Sequence, residues 1–352
     1  MPPTAGSSEA GSRVYVRRSL PLPEDLQPTI LIAIQNELSS DISMSGTQRR
    51  GVAVRITLCA KGDAEATEDT LDELAVFIEG VLAAEAELAA NGITTAVLAQ
   101  FLSWEGGLRG GEFAARVFAA IAGIRDSLTT DLIPQLRFET HLLEEYDTLP
   151  DRLAAWQVPY VVFNDHLPHD RLASGRRPPA LTGQALKAGR SPEAHLHLLQ
   201  DLHARTAEVP AALDALTAEL RLRGLRLGSH DDRTAADRAA WRARGVRIAE
   251  FPETREAAQA AREAGDSIVL GAPNVVRGGS HKGNASAAGL VAEGFCDALA
   301  SDYHYPAPRR AALKLAREGK NELASAWSLI SEGPARLLGL EDRGRLEPGL
   351  RA

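Results

Sequence analysis

Between residues 91 and 301 the chain alternates short apolar runs with longer segments whose apolar residues recur at three- and four-residue spacing. The runs are ITTAVLA (93–99), LIPQLRFE (132–139), VPYVVFN (158–164), LRLGS (225–229), VRIAEF (246–251), SIVLGA (267–272) and CDALAS (296–301). Short runs of this kind, bounded by turn residues, predict strands buried on both faces. The intervening segments read as amphipathic helices, among them FAARVFAAIAGI (113–124) and one long helical region over 191–223. AELAANG predicts a helix that stops on a glycine. Strand and helix in steady alternation predict a parallel sheet, and seven such units predict a (β/α)8 barrel counted one strand short. An open doubly wound sheet is the alternative, and no G-x-G-x-x-G follows the first strand to support it.

The front of the chain follows a different pattern. Residues 1–12 are small and polar and are expected to be disordered. Residues 13–82 predict a small α/β unit. In it TILIAIQNELSSDISMS reads as helix then strand, and AVRITLCAKGDAEATEDTLDELAVFIEG as strand, turn and amphipathic helix. The barrel is expected over 83–340, with 341–352 as the start of a further β segment.

Composition narrows the class. At 352 residues and 44% hydrophobic, the chain can bury a full core. A formal charge of −8 argues against nucleic acid as a partner, while leaving room for a phosphorylated ligand in a local basic pocket. Two cysteines are too few for a disulfide framework, no apolar run is long enough to span a bilayer, and no secretory h-region opens the chain. A cytoplasmic protein with no membrane partner is the expectation.

The candidate chemistry lies where a barrel carries it, at the C-terminal ends of the strands. Those ends hold Glu139 and His141, then Asn164, Asp165 and His166, then His230, Asp231 and Asp232, followed by Glu250, Asn274 and Asp302. Any one of them suits a solvated loop. Imidazoles and carboxylates converging from five strands suit a divalent cation of the zinc, manganese or iron class. A second feature is NVVRGGSHKGN (274–284). Its glycines let backbone approach an anion, Arg277, His281 and Lys282 supply charge, and Asn274, Ser280 and Asn284 supply neutral donors. The same residues read equally well as a flexible strand–helix turn. SWEGGLRG (103–110) offers Arg109 as an anion contact and Trp104 as a wall.

The motifs NGITTA (91–96), SWEGGLRG, QLRFETH (135–141), GSHDD (228–232), AEFPETREAA (249–258), GAPNVVRGGSHKGN (271–284), CDALASDYHYP (296–306) and DRGRLEPGLRA (342–352) occur in order over about three-quarters of the chain. Together they resemble the α-D-ribose 1-methylphosphonate 5-triphosphate diphosphatases of phosphonate breakdown, in the amidohydrolase superfamily. That resemblance implies an amidohydrolase-type barrel and a metal-dependent phosphohydrolase that releases diphosphate and leaves the 5-phosphate. It implies one or two divalent ions, zinc or manganese, on Glu139, His166, His230 and Asp302, with Asp302 and Asp231 as catalytic carboxylates. Arg109, His141, Asn274, Arg277, Ser280, His281, Lys282 and Asn284 would then meet the phosphorylated ribose methylphosphonate, with a homodimer as the candidate assembly.

The chain departs from the family pattern in two places. The family's first strand ends in a His-x-His or His-x-Asp pair, whereas the first histidine here is His141. Most of the small β-domain is also expected to be missing. The alternative function is therefore a catalytically impaired homologue that binds a phosphorylated sugar without efficient turnover. Residues 13–80 weakly resemble the histidine-containing phosphocarrier protein. EDLQP (24–28) would put Asp25 where its phosphoacceptor histidine belongs, so carrier chemistry is not expected.

Overall fold

The computed structural model describes residues 13–19, 29–38, 52–61, 68–279, 285–319 and 321–351, with side chains from residue 74 onward. Three strands come first, β1 (Arg13–Ser19), β2 (Thr29–Leu38) and β3 (Val52–Lys61). They form an antiparallel meander with β2 in the middle. The helix expected for TILIAIQNEL is thus a strand. Ile30, Ile32 and Ile34 fall at period two, and β-branched residues favour a pleated backbone that pairs on both edges. The strand expected over SSDISMS and the Asp25 segment lie outside the described residues. The amphipathic helix foreseen after β3 is present as Glu68–Ala90, and Gly92, at φ 77°, takes the chain out of it.

All seven expected barrel strands form. They are β4 (Thr95–Leu102), β5 (Asp131–Glu139), β6 (Tyr160–Asn164), β7 (Arg226–His230), β8 (Ile248–Glu250), β9 (Ser267–Gly271) and β10 (Ala298–Ala300). Each pairs in parallel with the next, and the sheet order runs from β10 to β4 without a reversal. A doubly wound sheet reverses direction at a switch point, so one-way winding excludes that alternative. The architecture is a curled parallel half-barrel. Val97 of β4, Tyr160 and Val162 of β6, Ile248 of β8, Val269 of β9 and Ala298 of β10 share one apolar cluster on the concave face. The opposite side chains, such as Leu136, Phe138, Val161, Phe163 and Leu227, pack outward against the helices.

The helical region 191–223 differs in detail from its expected form. It is two helices, Pro192–Ala204 and Val209–Leu222, broken where Pro210 can continue only as the start of a new helix. Two further short helices, His169–Ala173 and Leu181–Lys187, lie between β6 and this pair. At the other end of the sheet, Arg226 at the start of β7 donates to the Leu337 carbonyl (3.0 Å). Arg343 donates to Thr95 (2.8 Å) and Asp131 (2.5 Å) at the starts of β4 and β5. Among the described residues, no helix is long and apolar enough to cross a membrane.

Candidate metal centre

Strand alternation decides which side chains reach the mouth of the curl. On β5 the residues that alternate with the outward Leu136 and Phe138 are Gln135, Arg137 and Glu139, so this strand presents a polar column to the concave face. Asn164 of β6, His230 of β7 and Glu250 of β8 complete the ring at the same level, as register pairs Glu139 with Asn164 and His230 with Glu250.

His230 is held from two sides. Its Nδ1 lies 2.9 Å from Glu250 Oε2, and its Nε2 lies 2.6 Å from an Arg137 Nη2 that also reaches Asn164 Oδ1 at 3.2 Å. A guanidinium can only donate, so Nε2 accepts and the ring proton sits on Nδ1. This is the carboxylate–imidazole arrangement that aims a bare Nε2 lone pair at a cation. Arg137 supplies that cation here. Burial would push the Glu250 carboxyl above its ordinary range, but the His230 hydrogen bond and the Arg137 charge outweigh it and hold the carboxyl low.

Glu139, 1% exposed, stands behind His166. Its Oε1 lies 2.5 Å from His166 Nδ1, and its Oε2 accepts from the His166 backbone N–H at 3.1 Å. Burial alone would lower the His166 pKa, yet the hydrogen bond and charge of Glu139 raise it. His166, His230 and Asp231 each bring one donor atom within 4.8 Å of the others, a set able to hold a metal ion. Two imidazole nitrogens and a carboxylate oxygen fit zinc or manganese by donor chemistry.

The sequence-derived metal residues therefore divide. His166 and His230 come together, joined by Asp231, while Glu139 reaches the group through His166. Asp302 is outside that group among the described residues. It is exposed, with φ 51°, and protein crowding around its carboxyl raises its pKa. Glu250 adds to that rise, and the charges of Arg137, His230 and Arg277 oppose it. Asp231 (φ 58°) and Phe251 (φ 56°) are also left-handed, so three non-glycine residues within two positions of the ends of β7, β8 and β10 carry backbone strain at the mouth.

Arg277 is exposed, bonded to Asn274 Oδ1 (2.6 Å) and to the Tyr303 hydroxyl. Ser280, His281, Lys282 and Asn284 lie outside the described residues. Arg109 pairs with Glu105 (2.5 Å) and lies over Phe101, whose ring also meets Arg137 at 5.1 Å. Trp104 is buried core packed near His195. Asp232 is structural: it accepts from Ser229 (2.6 Å) and from the buried Arg238 (3.0 Å). His141 sits in a second cluster with Asp165 and His169. Arg137 is a site residue that no sequence motif singles out. Its signal was the alternation Gln-Leu-Arg-Phe-Glu, which puts three polar residues on one face of a buried strand.

No protein-family model matches the chain. Among curated proteins it is 43% identical, over 141 residues, to the α-D-ribose 1-methylphosphonate 5-triphosphate diphosphatase of Escherichia coli K12. Over that stretch the resemblance holds. The match covers 40% of this chain and 37% of the relative, so the chain spans little more than a third of that protein's length. Of solved structures, a metal-dependent hydrolase from Pyrococcus horikoshii OT3 is similar with a TM-score of 0.47 and 12% identity. It aligns over 91% of this chain and 68% of that one. The dihydropyrimidinase of Brevibacillus agri NCHU1002 gives 0.37 and 14%, over 76% and 68%. The fold stands on the strand order and owes nothing to either likeness.

Proposed function

We propose that the chain is a metal-dependent phosphohydrolase acting at the mouth of the half-barrel on a ribose 5-triphosphate that carries a methylphosphonate, with diphosphate as the leaving product. The observation that carries this is the convergence of donor atoms from His166, His230 and Asp231, with His230 Nδ1 fixed by Glu250. The 43% identity to a diphosphatase of that substrate supports the choice of reaction. His166, His230 and Asp231 would hold the ion. A bound divalent ion lowers the pKa of water and neutralises charge on a phosphoryl oxygen. Asp302 would take a proton from the attacking water, a role its raised pKa supports. Arg277 and Arg109 would meet phosphate oxygens.

One observation favours a second reading, a barrel that binds the phosphorylated sugar without efficient turnover. Arg137 lies against the His230 Nε2 lone pair that the ion would take. Diphosphate release measured with excess Zn²⁺ or Mn²⁺, beside binding of the same triphosphate, separates the two. The first reading expects turnover that falls about 10²–10⁴-fold in Asp302→Asn with binding kept. Binding without diphosphate release in the parent protein sinks it in favour of the second.

A further inference from the structure

Behind the mouth, on the far side of the β5 and β6 loops, lies a cluster that the proposed reaction does not use. His141 follows Glu139 by two residues, and Asp165 precedes His166. His169 opens the short helix after β6, and His203 lies in the last turn of the helix Pro192–Ala204. We infer that His141 Nδ1, the Asp165 carboxylate and His169 Nε2 form a second binding site for a divalent metal ion of the zinc class.

The hydrogen bonds fix which atoms face inward. Thr206 donates its one hydroxyl proton to the His203 carbonyl (2.6 Å), so its oxygen can only accept from His141 Nε2, 3.2 Å away. The His141 proton therefore sits on Nε2, and Nδ1 presents a lone pair. That lone pair lies 3.6 Å from Asp165 Oδ1, with His141 3% exposed. Thr140 Oγ1 also stands 3.3 Å from that Nδ1, and the Asp165 side chain is 41% exposed, so a cation can reach the two facing electron-rich atoms from solvent. Asp165 accepts the His169 Nε2 proton on its two oxygens, at 3.1 and 3.0 Å, and an ion bound here takes that proton's place. His203 Nδ1 lies 2.8 Å from His169 Nδ1 and fixes that ring from behind.

The spacing suits an ion. With bonds of about 2.0–2.1 Å, the donor atoms of a tetrahedral zinc site stand about 3.3 Å apart. The separations from Asp165 Oδ1 to the two rings, 3.6 and 3.1 Å, lie on either side of that value, and all three donors fall within 4.8 Å of one another. Two imidazoles and one carboxylate leave a fourth position open. Thr206 and His203 are the outer partners that orient the two rings. The ring-bearing helix is anchored by buried Leu199 and Leu202. An ion here pins together the loop that follows Glu139 at the end of β5 and the loop after β6 that carries His166.

This site stands apart from the proposed reaction and is tested without it. The full chain is loaded with Zn²⁺, dialysed and assayed for metal content, then titrated with Zn²⁺ by calorimetry. Beside it are His169→Ala, Thr206→Val and His230→Ala, each checked for an unchanged far-ultraviolet spectrum. The parent is expected to retain an equivalent that His169→Ala loses and His230→Ala keeps. Thr206→Val is expected to weaken that equivalent about 10–100-fold. A parent that retains no zinc, or a zinc content and affinity unchanged in His169→Ala, overturns the site. So does loss of the same equivalent in His230→Ala, which would assign it to the mouth instead.

Discussion

Replacing Arg238 by methionine tests whether the end of β7 is held by buried charge. Arg238 is 1% exposed and donates to Ser229 (2.6 Å), Asp232 (3.0 Å), Asp266 (2.7 Å) and the Val246 carbonyl (3.2 Å). Methionine keeps most of the apolar stem and removes every one of these bonds. Asp266 retains Arg242 at 2.5 Å, so the stranded acid is Asp232, left with one hydroxyl. Breaking a buried pair costs about 3–5 kcal/mol. Asp232 can escape its charge by taking a proton, which at pH 7 costs about 1.36 kcal/mol for each unit above ~3.9, or about 4 kcal/mol in all. The expected loss at pH 7 is therefore about 3–4 kcal/mol. Burial already holds the Asp232 carboxyl above its ordinary range against the pull of Ser229 and Arg238. A raised folded pKa means the folded state binds more protons, so the penalty grows as pH rises and shrinks as pH falls. At pH 5 the ceiling drops to about 1.5 kcal/mol. Urea unfolding followed by tryptophan fluorescence reads this, Trp241 being on the same helix as Arg238. With a slope near 3 kcal/mol/M, the midpoint should fall by about 1 M at pH 7. A loss under about 1 kcal/mol at pH 7, or an equal loss at pH 5, would refute the reasoning.

Glu250→Gln should weaken Zn²⁺ binding at His230 about 10–100-fold by releasing its tautomer, read by calorimetry, with little change in fold. Arg277→Ala should raise KM for the triphosphate about tenfold or more, equivalent to about 1.5–3 kcal/mol, and leave kcat nearly unchanged. Gly333→Ala should destabilise by about 1–3 kcal/mol or more in thermal melts, because a Cβ there would stand 1.9 Å from the Asp297 carbonyl oxygen. Asp131, despite some burial, has its carboxyl held low by Arg343 and Arg351. Its contribution is present above the unfolded value and lost as pH falls through the folded one. The stability gap between the parent and Asp131→Asn should accordingly close in acid, as measured by urea unfolding across pH 2–6.

The barrel strands were legible because each is a short apolar run whose burial on both faces leaves no competing period. The helix assigned to TILIAIQNEL failed on the opposite ground, since an apolar stretch of ten residues satisfies either period. Only strand neighbours decide it, and those lie elsewhere in the chain. At the site, His166 and His230 were legible as strand-end imidazoles. Glu250 was legible as a strand-end carboxylate, but its pairing with His230, like the role of Arg137, rests on contacts between β5, β7 and β8 that depend on register, which no single run encodes. The demotion of Asp232 from candidate to support had the same cause, for its partner Arg238 is a helix residue whose burial is invisible in sequence.

Successive strands of the half-barrel are joined by backbone hydrogen bonds, but β4 and β10 meet no such partner in each other. What spans them lies underneath. The helix Glu332–Leu338 packs against β10, its Leu337 and Leu338 fill the concave cluster, and Arg343 grips the first residues of β4 and β5. The tail thus works as a clasp on an open bracelet. The width of the mouth, and with it the gap between donors on neighbouring strands, is set from the opposite end by how tightly that clasp is fastened.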